Sequence, residues 1–150
     1  MLENIRKIIQ ENDLAVLATS LEDKPHCSLM AYISNQEECS LIHMLTLKTT
    51  QKFYNISRNP NVSLLIDTRS QEKPRELFQA LTISGTCAPA AQQKQPGLIR
   101  TLVKEHPQLQ AMAEKEEAIA VEVAVSSFLL LDGVYQASYY TMPGSHDQSG

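Results

Sequence analysis

Tryptophan is absent from this sequence, glycine is scarce at five residues, and cysteine is limited to three. Cys27, Cys39 and Cys87 stand far apart, and the four histidines are isolated. An odd cysteine count without paired spacing excludes a disulfide framework and a zinc cluster, so no metal site is expected. No apolar run approaches the roughly 20 residues that cross a bilayer. The N-terminus, Met1-Leu-Glu-Asn-Ile-Arg-Lys7, lacks the apolar stretch of a secretory signal. The expectation is a cytoplasmic protein with reduced thiols and no membrane partner. Positive charge is also short. The chain has 13 Lys+Arg against 17 Asp+Glu, a formal charge of −4, and Arg6-Lys7 is its one adjacent basic pair. A nucleic-acid partner, which selects a basic excess, is therefore not expected. No Ser/His/Asp arrangement and no pair of catalytic carboxylates occurs, which leaves the catalytic residues unassigned.

What remains is ordinary globular material. Apolar residues make up 43% of 150 positions and charged residues 20%, enough for one domain with a sizeable core. The spacing divides it into a domain over 1–140 and a loose tail over 141–150.

Residues 2, 5, 8 and 9 repeat with helical period and Asn12-Asp13 ends that helix. Leu14–Ser20 and His26–Ser34 read as strands around the turn cluster Glu22-Asp23-Lys24-Pro25. Cys39–Leu47 is a third strand. Thr50–Arg58 reads as a short helix, stopped before Pro60 because a residue preceding proline avoids helical geometry. Val62–Asp67 and Leu77–Ala88 are strands, the second carrying Gly85 as a bulge or close-approach point. Helical spacing returns at 98–103 and 109–117. Ala118–Val125 alternates, with Ile119, Val121, Val123 and Val125 on one face, and Asp132-Gly133 turns a last hairpin between strands Phe128–Leu131 and Val134–Tyr140. The fold class is mainly β (α+β): six to seven antiparallel strands closing as a small split barrel, with short flanking helices.

One segment concentrates phosphate chemistry. In Thr46-Leu-Lys-Thr-Thr50-Gln-Lys52 a strand runs into a helix, whose first turn offers free N–H groups and the positive end of the dipole. A lysine in that turn opposes the dipole unless an anion sits there. On spacing alone the plainer reading is the favoured one, since such caps are common: Thr50 caps the helix and Lys52 is solvated.

The string Thr46-x3-Thr50-x-Lys52, followed by Asn59-Pro60-Asn-Val-Ser-Leu-Leu-Ile66 and by Leu81-Thr-Ile-Ser-Gly85, resembles the FMN-binding split β-barrel family, the pyridoxamine 5′-phosphate oxidase-like group. The resemblance spans residues 2 to about 135. It implies FMN as cofactor, with Thr46, Thr50 and Lys52 at the phosphate. It implies the strand of His26, Cys27, Ser28 and Leu29 along the isoalloxazine ring, Gln79 touching the flavin from a neighbouring strand, and a homodimer holding each flavin between subunits. The family oxidases carry basic residues where this chain has Ala31 and Gln51, and an arginine-rich C-terminal motif where Tyr139 to His146 has no arginine. The resemblance therefore implies a flavin-dependent oxidoreductase acting on a small-molecule substrate, not a true vitamin B6 oxidase. A non-catalytic flavin-binding or sensing protein, and a split barrel that uses deazaflavin or haem, stand as alternatives. Arg58, Arg69 and Arg75 are the cations available to replace the missing ones.

Overall fold

The computed structural model describes residues 2–36, 38–69, 78–133 and 136–144. Eight strands form one antiparallel sheet: β1 (Leu14–Leu21), β2 (Lys24–Ala31), β3 (Ile33–Ser34), β4 (Leu41–Leu47), β5 (Asn61–Asp67), β6 (Gln79–Pro89), β7 (Ala118–Asp132) and β8 (Gln136–Thr141). Their order is β2-β1-β5-β6-β7-β4-β3, with β8 added to β7. Four short helices accompany them: α1 (Leu2–Glu11), α2 (Gln51–Arg58), α3 (Gln95–Glu105) and α4 (Gln110–Ala113). The mainly β split barrel expected from the sequence is the fold observed.

The curl follows from one short interruption. β2 pairs with β1 and β3 pairs with β4, yet only Tyr32 separates β2 from β3. The segment from Lys24 to Ser34 thus joins both ends of the strand order and bends the sheet back on itself. Tyr32 is held at the bend by its own hydroxyl, which donates to the Ile9 carbonyl at 2.7 Å.

Alternation fills the interior. Ala15 and Leu17 of β1, Val62, Leu64 and Ile66 of β5, Leu81 and Ile83 of β6, and Val121 and Val123 of β7 are all buried in one cluster with Ile5, Ile8 and Ile9 of α1. A second cluster lies outside the sheet, where Leu45 and Ala120 meet Leu102 of α3. The two strands read at 118–125 and 128–131 are a single strand, β7. Its alternation slips because β6 and β7 shift register between Ser84 and Gly85, and Ser126 there donates its hydroxyl to the Ser84 carbonyl at 2.9 Å. Gly85 is required at that point: a Cβ would sit 2.3 Å from the Ala124 carbonyl oxygen. β6 begins at Gln79, and the expected start at Leu77 lies outside the described residues, as do Arg75 and positions 145–150 of the tail.

Candidate functional site

The site is built where the barrel is split. Every described strand pairing of β2 is with β1, so its second edge carries unpaired backbone groups. β4 pairs with β7 along its whole length, but on the other side meets β3 only at Ile42 and His43. β2 and the remainder of β4 approach each other without a ladder. Backbone donors and acceptors left open in this way need a partner. The split opens toward Thr46 and the start of α2.

At that mouth Thr50 caps α2, its Oγ1 accepting from the Phe53 amide at 3.3 Å. The Thr50 hydroxyl donates to the Leu47 carbonyl at 2.9 Å. The 3.2 Å contact between Thr46 Oγ1 and Thr50 Oγ1 is then a bond donated by Thr46. Both hydroxyl hydrogens are already used inside the turn. An incoming anion meets instead the first-turn amides of Gln51 and Lys52, which have no backbone acceptor among the described residues, and the Lys52 ammonium. Lys52 is half-buried, and burial lowers its pKa from the ordinary lysine value. No described residue offsets that cost with a salt bridge.

Helix α2 is fixed by a group that the sequence reading missed. Asn55 is buried on the inner face of α2; its amide donates to Thr19 Oγ1 at 3.0 Å and its oxygen accepts from Gln51 Nε2 at 2.8 Å. Asn59 adds a bond to Ser20 Oγ at 3.1 Å. The available signal was an asparagine, a poor helix former, in mid-helix beside Ile56. Gln51, standing where the oxidases carry a cation, thus supports Asn55.

On β2 the side chains alternate. His26 faces inward opposite Thr19, and Ser28 and Met30 follow on the same face; Cys27 and Leu29 point outward opposite Ala18 and Val16. His26 Nδ1 is buried and has no hydrogen-bond partner among the described residues, an uncommon state for a buried polar atom. His26–Leu29 and Thr46–Lys52 therefore stand on the two sides of the same split.

Gln79 does not join them. It pairs with Asp132, whereas Thr46 pairs with Ile119, which places it roughly 40 Å further along β7 at about 3.3 Å per residue. There it lines a separate cavity beside α1. The two described replacement cations are elsewhere too. Arg58 stacks on the Tyr54 ring at 3.6 Å, and Arg69 pairs with Asp67 at 2.6 Å. His43 is a satisfied histidine, bonded to Glu122 at 2.9 Å on the face under α3. Cys39 and Cys87 are core fillers, 0% and 1% exposed, and burial followed by the Glu122 charge pushes the Cys87 thiol up to about 12.

A split barrel with an anion-ready helix start beside an unpaired strand edge defines the class. The family model described as pyridoxamine 5′-phosphate oxidase matches residues 1–129, and the chain belongs to that family. Comparison with curated proteins gives no match. Among solved structures, a haem-binding protein from Mycobacterium smegmatis superposes with a TM-score of 0.80 at 15% identity, over 93% of this chain and 57% of its own. General Stress Protein 26 from Bacillus anthracis str. Sterne gives 0.69 at 19%, over 93% and 97%. An FAD-binding protein from Mesorhizobium loti gives 0.68 at 13%, over 87% and 93%. At these identities the likeness is one of fold.

Proposed function

We propose that this chain binds FMN in the split, with the phosphate at the start of α2 and the ring along β2, and acts as a flavin-dependent oxidoreductase on a small substrate. One observation carries the reading: Lys52 is held partly buried, without an anionic partner among the described residues, beside two helix amides that have no backbone acceptor among them. A phosphate satisfies all three. The residues fit the cofactor in a second respect, since the orphaned His26 Nδ1 and the open edge of β2 offer hydrogen-bonding groups to a ring lying there. Bound flavin supplies the redox chemistry, and the protein supplies binding and orientation. Thr46 and Thr50 join the phosphate shell by turning their hydroxyls out of the Leu47 turn. Ala31, Gln51 and the absence of arginine from Tyr139 to His146 argue against pyridoxamine phosphate as substrate.

The protein works as a homodimer in this reading. Leu29, Val16, Leu65, Thr82, Leu129 and Tyr139 form one register row across six strands on the outer face, and Leu29, Leu65, Leu129 and Tyr139 are exposed. A second copy is the occupant that such a face fits. It also gives Gln79 a route to a flavin, that of the other subunit.

The visible spectrum of the purified protein, mass spectrometry of any released chromophore and a titration with FMN test the binding. Flavin absorption and saturable FMN uptake are expected; a colourless protein that takes up no FMN overturns the reading, and a haem Soret band replaces the cofactor. Stopped-flow reduction by NADH and NADPH, compared with free FMN, separates an oxidoreductase from a flavin-sensing protein.

A further inference from the structure

Two consecutive residues of β1 hold α2 to the sheet. Thr19 Oγ1 accepts from the Asn55 side-chain amide at 3.0 Å, and Ser20 Oγ accepts from that of Asn59 at 3.1 Å. Asn55 and Thr19 are 2% and 3% exposed, so their bond lies in the interior. Breaking it strands a buried donor and a buried acceptor, which is costly.

Asn55 is also the centre of a longer chain. Its oxygen accepts from Gln51 Nε2 at 2.8 Å, one turn earlier. Gln51 is the first residue of α2, and its backbone amide has no backbone acceptor among the described residues. At the other end, Thr19 is the register partner of His26 in an unbroken β1–β2 ladder. Side chains paired in this way lie about 4.5–5.5 Å apart at Cβ. The relay Gln51–Asn55–Thr19 thus runs from the start of α2 to the histidine whose buried Nδ1 lacks a partner among the described residues.

Opposed forces act on this relay. Burial of Lys52 and the helix dipole favour a first turn lifted into solvent. The two side-chain bonds of Asn55 hold that turn down. An anion at the start of α2 removes the opposition. By fixing the Gln51 main chain it also lowers the ordering cost of the Gln51–Asn55 bond. A ligand held by His26 acts on the same relay from the other end, because the ladder ties His26 to Thr19.

Building on the flavin reading above, we propose that Asn55 is a positioning residue that couples the two ends of the site. An anion at the start of α2 tightens ring binding beside His26, and the ring tightens the anion to the same degree. Such coupling is reciprocal and commonly amounts to about 5- to 150-fold in affinity. An Asn55 that only held the helix in place would set the overall affinity without making one end depend on the other.

The ends are probed separately, with riboflavin for the ring and inorganic phosphate for the anion. Quenching of riboflavin fluorescence is titrated with and without phosphate at matched ionic strength, which holds screening constant. Phosphate is expected to tighten riboflavin at least about fivefold in the parent chain. Thr19→Val, which keeps the branched shape and removes the acceptor, is expected to abolish this effect, as is Asn55→Leu. Thr19→Ser keeps Oγ and is expected to keep the effect. 15N NMR of the imidazoles, with the His26 signals identified through His26→Gln, gives a second readout. Phosphate alone is expected to shift the His26 resonances in the parent and not in Thr19→Val. Riboflavin affinity that ignores phosphate, or a Thr19→Val chain that responds like the parent, overturns the proposal. FMN uptake without this dependence removes the coupling and leaves the flavin reading standing, whereas no FMN uptake removes both.

Discussion

Lys52 shows at the level of one residue how the proposed phosphate site opposes stability. Its ammonium sits in the first turn of α2, where dipole and burial both disfavour positive charge. Its folded pKa lies below the unfolded value of 10.5. The unfolded chain therefore binds that proton more tightly, and stability rises with pH across the window between the lowered value and 10.5. At neutral pH the flavin-free protein carries the full cost. Lys52→Met is expected to raise the stability of flavin-free protein by about 0.5–2 kcal/mol, as other changes that relieve local strain do. The melting-temperature gap to the parent closes as pH approaches 10.5. The same variant is expected to weaken FMN by about 1.5–3 kcal/mol, the value of a charge-assisted hydrogen bond. Melting curves across pH and an FMN titration check both halves, and a variant that binds FMN like the parent removes Lys52 from the site. The sequence made this residue legible because a lysine in a first turn breaks a local rule. It did not make Asn55 or the commitment of the two threonine hydroxyls legible, since both depend on where β1 and the Leu47 carbonyl lie in space.

Among the elements, β7 and the β2–β3 segment give the barrel its shape. Gly85 allows the backbone of β6 to touch β7 at the register shift. Gly85→Ala drives a Cβ to 2.3 Å from a backbone oxygen, and backbone cannot swing aside as a side chain can. A loss of about 1–3 kcal/mol, the cost of overpacking a tight site, is expected in urea unfolding; a midpoint equal to the parent's shows that the bulge is slack. Most elements were readable from period and punctuation: α2 ends before Asn59-Pro60, and β5 and β6 lie within a few residues of their sequence bounds. Two features were not. β7 looked like two strands because a bulge restores alternation on the opposite phase at Phe128. The break at Tyr32 carries no turn residue, because long-range bonds to Ile9 and from His106 hold the bend.

The whole molecule is asymmetric in how it covers its sheet. Helices α3 and α4 pack over the outer face of β4 and β7, whereas no described helix covers the row from Leu29 to Tyr139. Six strands at about 4.8 Å spacing make that face roughly 24 Å wide, close to the width of a patch of about 800 Å2 per partner. A two-fold interface places any substitution there twice. Leu129 is 41% exposed in the single chain, so a charge at this position leaves the fold intact while setting two carboxylates into the closed apolar face of the proposed dimer. Like charges facing across an interface cost several kcal/mol. Leu129→Glu is therefore expected to raise the dimer dissociation constant by at least about 100-fold, with an unchanged far-UV circular dichroism spectrum. Sedimentation equilibrium reads the first effect. The distance of Gln79 from Thr46 makes the flavin a second readout: if the ring lies between subunits, the monomeric variant also loses FMN affinity, and Gln79→Ala lowers it in the dimer alone. A parent chain that sediments as a monomer at tens of micromolar removes the dimer. A monomeric Leu129→Glu that keeps full FMN affinity leaves the flavin within one subunit and takes Gln79 out of its site.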